Sequence, residues 1–223
     1  MSSKKPLLIL MDGHAMVYRA WHAIQQPLNL RTTGEDVRAV YGFLNSFLRT
    51  IADFNPTHCI IAFDTPGPTF RHDHYTEYKA HRPPMPEELR SQFTHIRSMM
   101  NAFEIPIFEE DKYEADDVIG TICKKAEKEG IETLILTGDT DELQLVSPLV
   151  KVMLSHSVQG KSLYDIKKVQ ERYEGLGPET VPDIKALEGD KSDNIPGVPG
   201  IGKKTAIRLL KEFGSIEKIY AHL

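Results

Sequence analysis

A chain of 223 residues, 40% hydrophobic and 26% charged, is long enough to bury a sizeable core and suits one large domain or one domain plus an appendage. The apolar run Leu7 to Met11 that follows Met1-Ser2-Ser3-Lys4-Lys5 is too short for a signal sequence or a membrane span, so neither export nor anchoring is expected. A net charge of −5 argues against a nucleic-acid partner only until the acids are placed: nine of them fall in the clusters described below, and removing those nine leaves +4 on the remaining surface.

Leu7-Leu8-Ile9-Leu10-Met11 predicts a strand buried on both faces, stopped by Asp12-Gly13-His14. A helical pattern runs through Val17, Ala20 and Ile24, and a longer one begins near Asp36, with Val37, Val40, Tyr41, Leu44, Phe47, Leu48 and Ile51 at helical spacing. Cys59 to Phe63 is again wholly apolar and again ended by an acid, Asp64, so two strands alternating with helices predict a parallel sheet. Cys59 and Cys123 follow no pairing or zinc spacing and read as buried free thiols in a reducing, cytoplasmic compartment.

From Thr65 to Glu88 the periodicity lapses. Arg71, His72, His74, Tyr75, Tyr78, Lys79, His81 and Arg82 precede Pro83-Pro84-Met85-Pro86, and an excursion of that length with interleaved aromatic and basic residues predicts a functional loop. A helix through Leu89, Phe93, Ile96, Met99 and Phe103 and a short strand at Ile105 to Phe108 lead to Glu114-Ala115-Asp116-Asp117, where three carboxylates enter the start of an apolar helix. Acids in a first turn complement the helix dipole. Glu114 and Asp117 nevertheless share one face, and two such charges about 5.5 Å apart repel by about 3 kcal/mol at an effective dielectric near 20, which calls for something positive beside them.

That helix continues through Val118, Ile119, Ile122 and Ala126, with Gly130 placed to stop it. Thr133 to Leu136 predicts the next buried strand, ended by Thr137-Gly138-Asp139-Thr140-Asp141. Sites in doubly wound sheets lie beyond the carboxyl ends of parallel strands, so Asp12, Asp64, Asp139 and Asp141 are expected to converge on one crevice entered by the Glu114 helix. After Val150 to Leu154 and a mixed segment around Lys167 to Tyr173, the character changes. A helix over Pro182 to Glu188 leads to Gly189-Asp190-Lys191-Ser192-Asp193-Asn194 and a hairpin carrying Gly197, Gly200 and Gly202, and the following helix opens on Lys203 and Lys204 and closes at Gly214. Glycines there let backbone N–H groups approach an anion, and two lysines in a first turn oppose the dipole unless a phosphate sits between them.

Nine carboxylates on separate segments, a basic excursion and a phosphate seat suit metal-assisted chemistry on a phosphodiester. Magnesium takes oxygen ligands and keeps several waters, so a first shell and a water-mediated second shell would use this many acids.

Leu10-Met11-Asp12-Gly13, Ala62-Phe63-Asp64, Phe70-Arg71, Tyr78-Lys79, Arg82 to Pro86, Glu114 to Asp117, Thr137 to Asp141 and Gly189 to Val198, in this order and spacing, resemble the 5′-nuclease domain of bacterial DNA polymerase I and its flap-endonuclease relatives over essentially the whole chain. The resemblance implies an α/β fold with a mostly parallel central sheet flanked by helices, a helical arch, and a C-terminal helix-three-turn-helix element. Residues 1–175 would form the nuclease core, with the arch inserted at about 65–88, and 176–223 the duplex-binding region. The implied activity is a 5′-3′ exonuclease and flap endonuclease using two or more Mg²⁺ or Mn²⁺ ions on DNA with 5′ flaps or ends at duplex junctions, with RNA primers as a further substrate and a monomer as the working unit. The acids matching the family's metal-surrounding positions are Asp12, Asp64, Glu114, Asp116, Asp117, Asp139, Asp141, Asp190 and Asp193, without assignment of which bind directly. Lys79 and Arg82 match basic residues that polarise the scissile phosphate, Tyr78 a base-stacking residue, Arg19 and Arg71 basic positions near the phosphate, and Tyr75 a DNA contact. The Gly197 to Gly202 hairpin resembles a grip on duplex backbone that takes a K⁺ ion. Lys112 stands where a glycine is common. The family's nuclease domain usually continues further, so a fragment of a longer polymerase and a short stand-alone nuclease are both compatible with the chain.

Two rivals make different demands. A haloacid-type phosphatase wants a second Asp two residues after the first, and position 14 is His. A non-catalytic structure-specific DNA-binding module would keep the hairpin and the excursion but has no use for all nine carboxylates.

Overall fold

The computed structural model describes residues 5–156 and 160–223. Six strands form one sheet in the order β3-β2-β1-β4-β5-β6. Strands β1 (Leu7–Asp12), β2 (His58–Ala62), β3 (Ile107–Phe108), β4 (Glu132–Thr137) and β5 (Val150–His156) pair in parallel, and only the edge strand β6 (Gly160–Tyr164) is antiparallel. The wholly apolar strands occupy the middle because side chains that alternate in direction must find a hydrophobic layer on each side. Leu8 and Leu10 join a core with Ile135, Val152 and Leu154 on one face, while Ile9 and Met11 join Ile61, Leu134 and Leu136 on the other.

Helices α1 (Gly13–Ala23), α2 (Arg38–Phe54) and α4 (Glu87–Ala102) cover the second face through Met16, Val17, Phe43, Phe47, Phe93 and Ile96. The first face is covered by α5 (Ala115–Lys128), and by α7 (Val181–Glu188) and α8 (Lys203–Phe213), whose Ile184, Leu187, Ala206, Ile207 and Leu210 enter the same cluster as Leu8 and Leu10. The C-terminal helices therefore share one continuous core with the sheet. A short helix α6 (Ile166–Arg172) follows β6, and α9 (Ile216–Tyr220) closes the described chain. Among the described residues no helix is long and apolar enough to cross a membrane.

Two elements depart from the expectation. Strand β6 and helix α9 carry no strong pattern of their own; β6 is held as an edge by pairing with β5, and Leu163 on it is 38% exposed. Cys123 is buried but Cys59 is only half-buried, and both are free thiols.

The excursion between β2 and α4 holds the five-residue helix α3 (Phe70–His74) and then consecutive turns. It is tied down at both ends of its span: the Phe70 N–H donates to the Lys112 carbonyl at 3.0 Å, and the Lys79 N–H to the Asp193 carbonyl at 3.0 Å. Lys112, at φ 67, occupies the left-handed region that favours glycine. That backbone angle, rather than contact with a substrate, is the physical reason a glycine suits the position.

Candidate active site

The chain runs β1, β2, β3 outward in one direction and returns to place β4 on the other side of β1, so the strand order reverses between β1 and β4. A crevice opens beyond the carboxyl ends at such a reversal. Asp12 sits there as the last residue of β1 and the cap of α1, its Oδ1 accepting the Ala15 N–H at 2.9 Å and its Oδ2 the Thr137 hydroxyl at 2.9 Å. The neighbouring strand end, that of β4, leads to Asp139, whose N–H donates to Thr137 Oγ1 at 3.0 Å and whose Oδ1 accepts the Asp141 N–H at 2.9 Å. Asp64, two residues past β2, accepts the Ala115 N–H at the start of α5 at 2.7 Å. Parallel pairing alone brings these acids together, because register puts Asp12 beside Ala62 and Met11 beside Leu136.

The charge in this crevice is poorly compensated. Burial, helped by Asp64 and Asp139, pushes the Asp12 carboxyl up to about 6. Burial and the charges of Asp12, Asp139 and Glu114 raise Asp116 well above the usual carboxylate range. Asp141 is pushed up to about 6 by burial and Asp139 even though Lys185 Nζ lies 2.6 Å away. His14 supplies no countercharge: burial lowers its pKa, and its Nδ1 accepts the Asp64 N–H at 3.0 Å.

The rim of the crevice is different. Arg71 grips Asp117 with two hydrogen bonds of 2.6 and 2.9 Å, and although burial opposes it, that pairing holds the Asp117 carboxyl below its usual value. Asp117 Oδ2 also accepts the Glu114 N–H at 3.0 Å, so this residue caps its own helix. Lys79 Nζ lies 2.9 Å from Glu114 Oε1, and Arg82 Nη2 2.7 Å from Asp193 Oδ1. Lys185 bridges Asp141 and, at 2.7 Å, Asp190; against the effect of burial, this bridge and the Ser192 hydroxyl bring Asp190 down to about 2. The cations that the acidic helix start demanded, Arg71 and Lys79, are thus supplied by the excursion, while α7 supplies Lys185 to Asp141 and Asp190. Lys79 itself is held at φ 55, an uncommon conformation for a residue with a side chain.

An open cleft of about 610 Å³ runs between the excursion, the first turns of α5 and the Asp193 turn, lined by Arg71, Tyr75 and Lys124 as well as Asp116 and Asp141. Tyr75 is 39% exposed and its hydroxyl donates to the Asn194 carbonyl at 3.2 Å. Tyr78, read as a stacking residue, is only 5% exposed, with its hydroxyl 3.0 Å from both Glu114 Oε2 and Asp193 Oδ2; its ring offers no open face in this arrangement. Arg19 donates to Ser155 Oγ, near the carboxyl end of β5, at 2.8 Å rather than to one of the nine acids.

In the hairpin, Gly197 (φ 65) packs so closely on Gly189 that a side-chain carbon on either would collide with backbone. Gly200 (φ 82) and Gly202 face open space. Lys204 is exposed, whereas Lys203 lies over the Tyr173 ring at 4.7 Å.

Two residues escaped the sequence reading. Lys185 sits in a helical pattern that gave it no role. Glu142, directly after Asp141, is 2% exposed, and neither of its carboxylate oxygens has a hydrogen-bond partner. Its place one residue past the strand-end motif was the available signal.

The donor set fits divalent cations: it is all carboxylate oxygen, it carries more negative charge than the protein neutralises, and it includes a buried carboxylate without a partner. Among the described residues no three of these side chains yet close around one point as a finished cage.

The same architecture occurs in the T5 5′-exonuclease with divalent zinc ions bound, at a TM-score of 0.79 and 23% identity over 97% of this chain and 79% of that one. It occurs again in the catalytic core of Rad2 in complex with DNA substrate, at a TM-score of 0.64 and 15% identity over 97% of this chain and 64% of that one. Residues 7–174 match the family described as 5′-3′ exonuclease, N-terminal resolvase-like domain, and residues 176–223 match 5′-3′ exonuclease, C-terminal SAM fold; the chain belongs to this 5′-3′ exonuclease family. Among its relatives, DNA polymerase I of Chloroflexus aurantiacus is 48% identical over 96% of this chain, and DNA polymerase I of Bacillus caldotenax 44% over 98%. Those matches cover 23% and 25% of the relatives, so the chain spans about a quarter of their length.

Proposed function

We propose that the chain is the 5′-nuclease part of a DNA polymerase I: a divalent-metal-dependent 5′-3′ exonuclease and flap endonuclease that hydrolyses DNA at junctions of duplex and single strand. The observation that carries this reading is the convergence of Asp12, Asp64, Asp139 and Asp141 at the ends of three adjacent parallel strands, with Asp116 above them. A binding module gains nothing from so much uncompensated charge, and the buried acids cost stability that only a cation or a proton offsets.

Asp12, Asp64, Asp116, Asp139 and Asp141 are the residues that would hold Mg²⁺ or Mn²⁺. Such ions, when bound, activate the attacking water and stabilise the leaving oxygen of an in-line displacement. The chain's own contribution is positioning and charge. Lys79 and Arg82, drawn off Glu114 and Asp193, would meet the scissile phosphate, and a cation placed where negative charge develops acts chiefly on the transition state. Arg71 and Asp117 keep the first turn of α5 in place. Gly200, Gly202 and Lys204 would seat a duplex phosphate at the start of α8, with K⁺ as a further ion at the hairpin. RNA primers, a monomeric working unit and a cytoplasmic setting complete the proposal.

The test is cleavage of a 5′-labelled flap substrate with Mg²⁺ and with EDTA, read on a sequencing gel. Metal-dependent cuts at the junction are expected. Binding without any cleavage in Mg²⁺ or Mn²⁺ would return the chain to the DNA-binding module.

A further inference from the structure

Glu142 is the second residue of the 3-10 turn Asp141–Leu145, which leads away from the β4 end of the crevice. Its neighbour Leu143 is fully buried in the hydrophobic cluster, but Glu142, at 2% exposed, is equally withdrawn from water. Neither carboxylate oxygen accepts a hydrogen bond from a donor group, and its polar neighbour at hydrogen-bonding reach is another acid, the Asp116 carboxyl. Every charge that acts on it strongly is negative, Asp116 first, then Asp12 and Asp139. It also lines the cleft that opens on Asp116 and Asp141.

A buried carboxylate with no donor is an expensive feature. Withdrawal of an ionic group from water is normally repaid by a salt bridge or by hydrogen bonds. Among the described residues no lysine or arginine side chain repays it, while Lys79, Lys185, Arg71 and Arg82 are all engaged with other acids. An apolar side chain of similar length would fill the same space at no such cost. What distinguishes Glu142 from a core misfit is its direction, toward the acids that would hold metal.

We propose that Glu142 is a further carboxylate of the metal centre, directed at the cations held by Asp116, Asp12 and Asp139 and balanced by them rather than by a protein donor. The inference rests on the reading of this crevice as a divalent-cation site. Glu142 then raises cation affinity either by direct ligation or by accepting hydrogen bonds from waters on the cation, and in both roles its charge is what counts.

The experiment is calorimetric titration of Mn²⁺ and Mg²⁺ into the metal-free chain for wild type, Glu142→Gln and Glu142→Met, with thermal melts of the same three proteins with and without Mn²⁺. Both substitutions approximate the volume of the side chain, so if one fails to fold the other carries the test. Removal of a carboxylate around a metal centre is expected to weaken cation affinity by about 10-fold or more. Both variants should melt higher than wild type without metal and gain less from Mn²⁺. Wild type that binds the cation while both variants bind it within about twofold of wild type would overturn the role of Glu142. Wild type that binds neither cation would instead remove the metal reading on which the inference rests.

Discussion

The acids of this site divide into two regions that differ in how their charge is answered. Around the strand ends, Asp12 and Glu142 are buried and Asp116, from α5, is half-buried beside them, and among the described residues none of the three has an ion-pair partner. Along the rim, Glu114, Asp117, Asp190 and Asp193 are each paired with Lys79, Arg71, Lys185 or Arg82 at 2.9 Å or less. Residue type does not separate the two groups; position on the fold does. The rim acids lie where the excursion and α7 can reach them, and their pairing latches the Thr65 to Glu88 segment onto the Asp193 turn. The deep acids lie at the strand reversal, where among the described residues no lysine or arginine forms an ion pair with Asp12, Asp116 or Glu142, and of the acids there Lys185 reaches only Asp141. The rim is therefore a structural clasp, and the proposed function gives it substrate as an exchange partner and the deep group divalent cations.

The sharpest way to break that division is Asp116→Ala. If the deep acids serve metal, cleavage should fall by about three orders of magnitude, equivalent to the several kcal/mol a metal ion contributes to the transition state, with flap binding largely retained. Asp64→Ala should behave alike. Wild-type turnover in both variants, with metal still required, would sink the assignment, and single-turnover rates beside binding isotherms decide it.

On the rim, Lys79→Ala should lower the single-turnover rate by about 10²- to 10³-fold while changing affinity little, because its charge matters most where negative charge develops. A matched loss of affinity at unchanged saturating rate would leave Lys79 a clasp residue only. Arg71→Ala, by contrast, strands a half-buried Asp117 and should cost about 2 kcal/mol of stability in denaturant titration, between the values for exposed and buried pairs.

The deep region also predicts a pH signature. Asp12 and Asp141 are raised from 3.8 to about 6 in the folded chain, so the folded state binds protons more tightly than the unfolded state does. Their contribution is fully present below about pH 4 and is lost as pH rises through about 6. Metal-free thermal midpoints should therefore lose this contribution over that interval, and the rise on adding Mg²⁺ should be larger at about pH 7.5 than at about pH 5. A Mg²⁺ effect that does not grow with pH would show the deep carboxyls to be already balanced.

Smaller effects sharpen the outlying parts. Because Lys203 rests on Tyr173 while Lys204 is exposed, Lys204→Ala should account for most of the loss in duplex affinity caused by replacing both lysines. The salt dependence of log K should flatten by up to about 0.9 for each phosphate left without its lysine, equally for unrelated sequences and without moving the cut. An unchanged slope would make the hairpin a structural turn. Smallest of all, Lys112→Gly relieves the left-handed backbone at that turn, partly offset by a freer unfolded chain, and should add about 0.5–1 kcal/mol in chemical denaturation.

Local pattern along the chain was enough to set the sheet and the gathering of the deep acids, because apolar runs such as Leu7 to Met11 have no stable alternative to a strand covered on both faces. Once parallel, strands of that kind deliver their terminal residues to one edge, so Asp12, Asp64 and Asp139 were legible from position alone. The hairpin glycines were legible as a turn, but not their division of labour: Gly197 is consumed by close packing on Gly189, and only Gly200 and Gly202 stay open. Which acid meets which cation, in contrast, was settled only by the folded arrangement. Arg71 with Asp117, Arg82 with Asp193 and Lys185 with Asp141 join residues 46, 111 and 44 positions apart, separations over which no periodicity carries information. The same blindness hid the unpartnered burial of Glu142 and the inward position of the Tyr78 ring, whose hydroxyl contacts Glu114 and Asp193. Strand chemistry is local and repeats along the chain; the pairing of charges depends on distances that exist only after the chain has closed on itself.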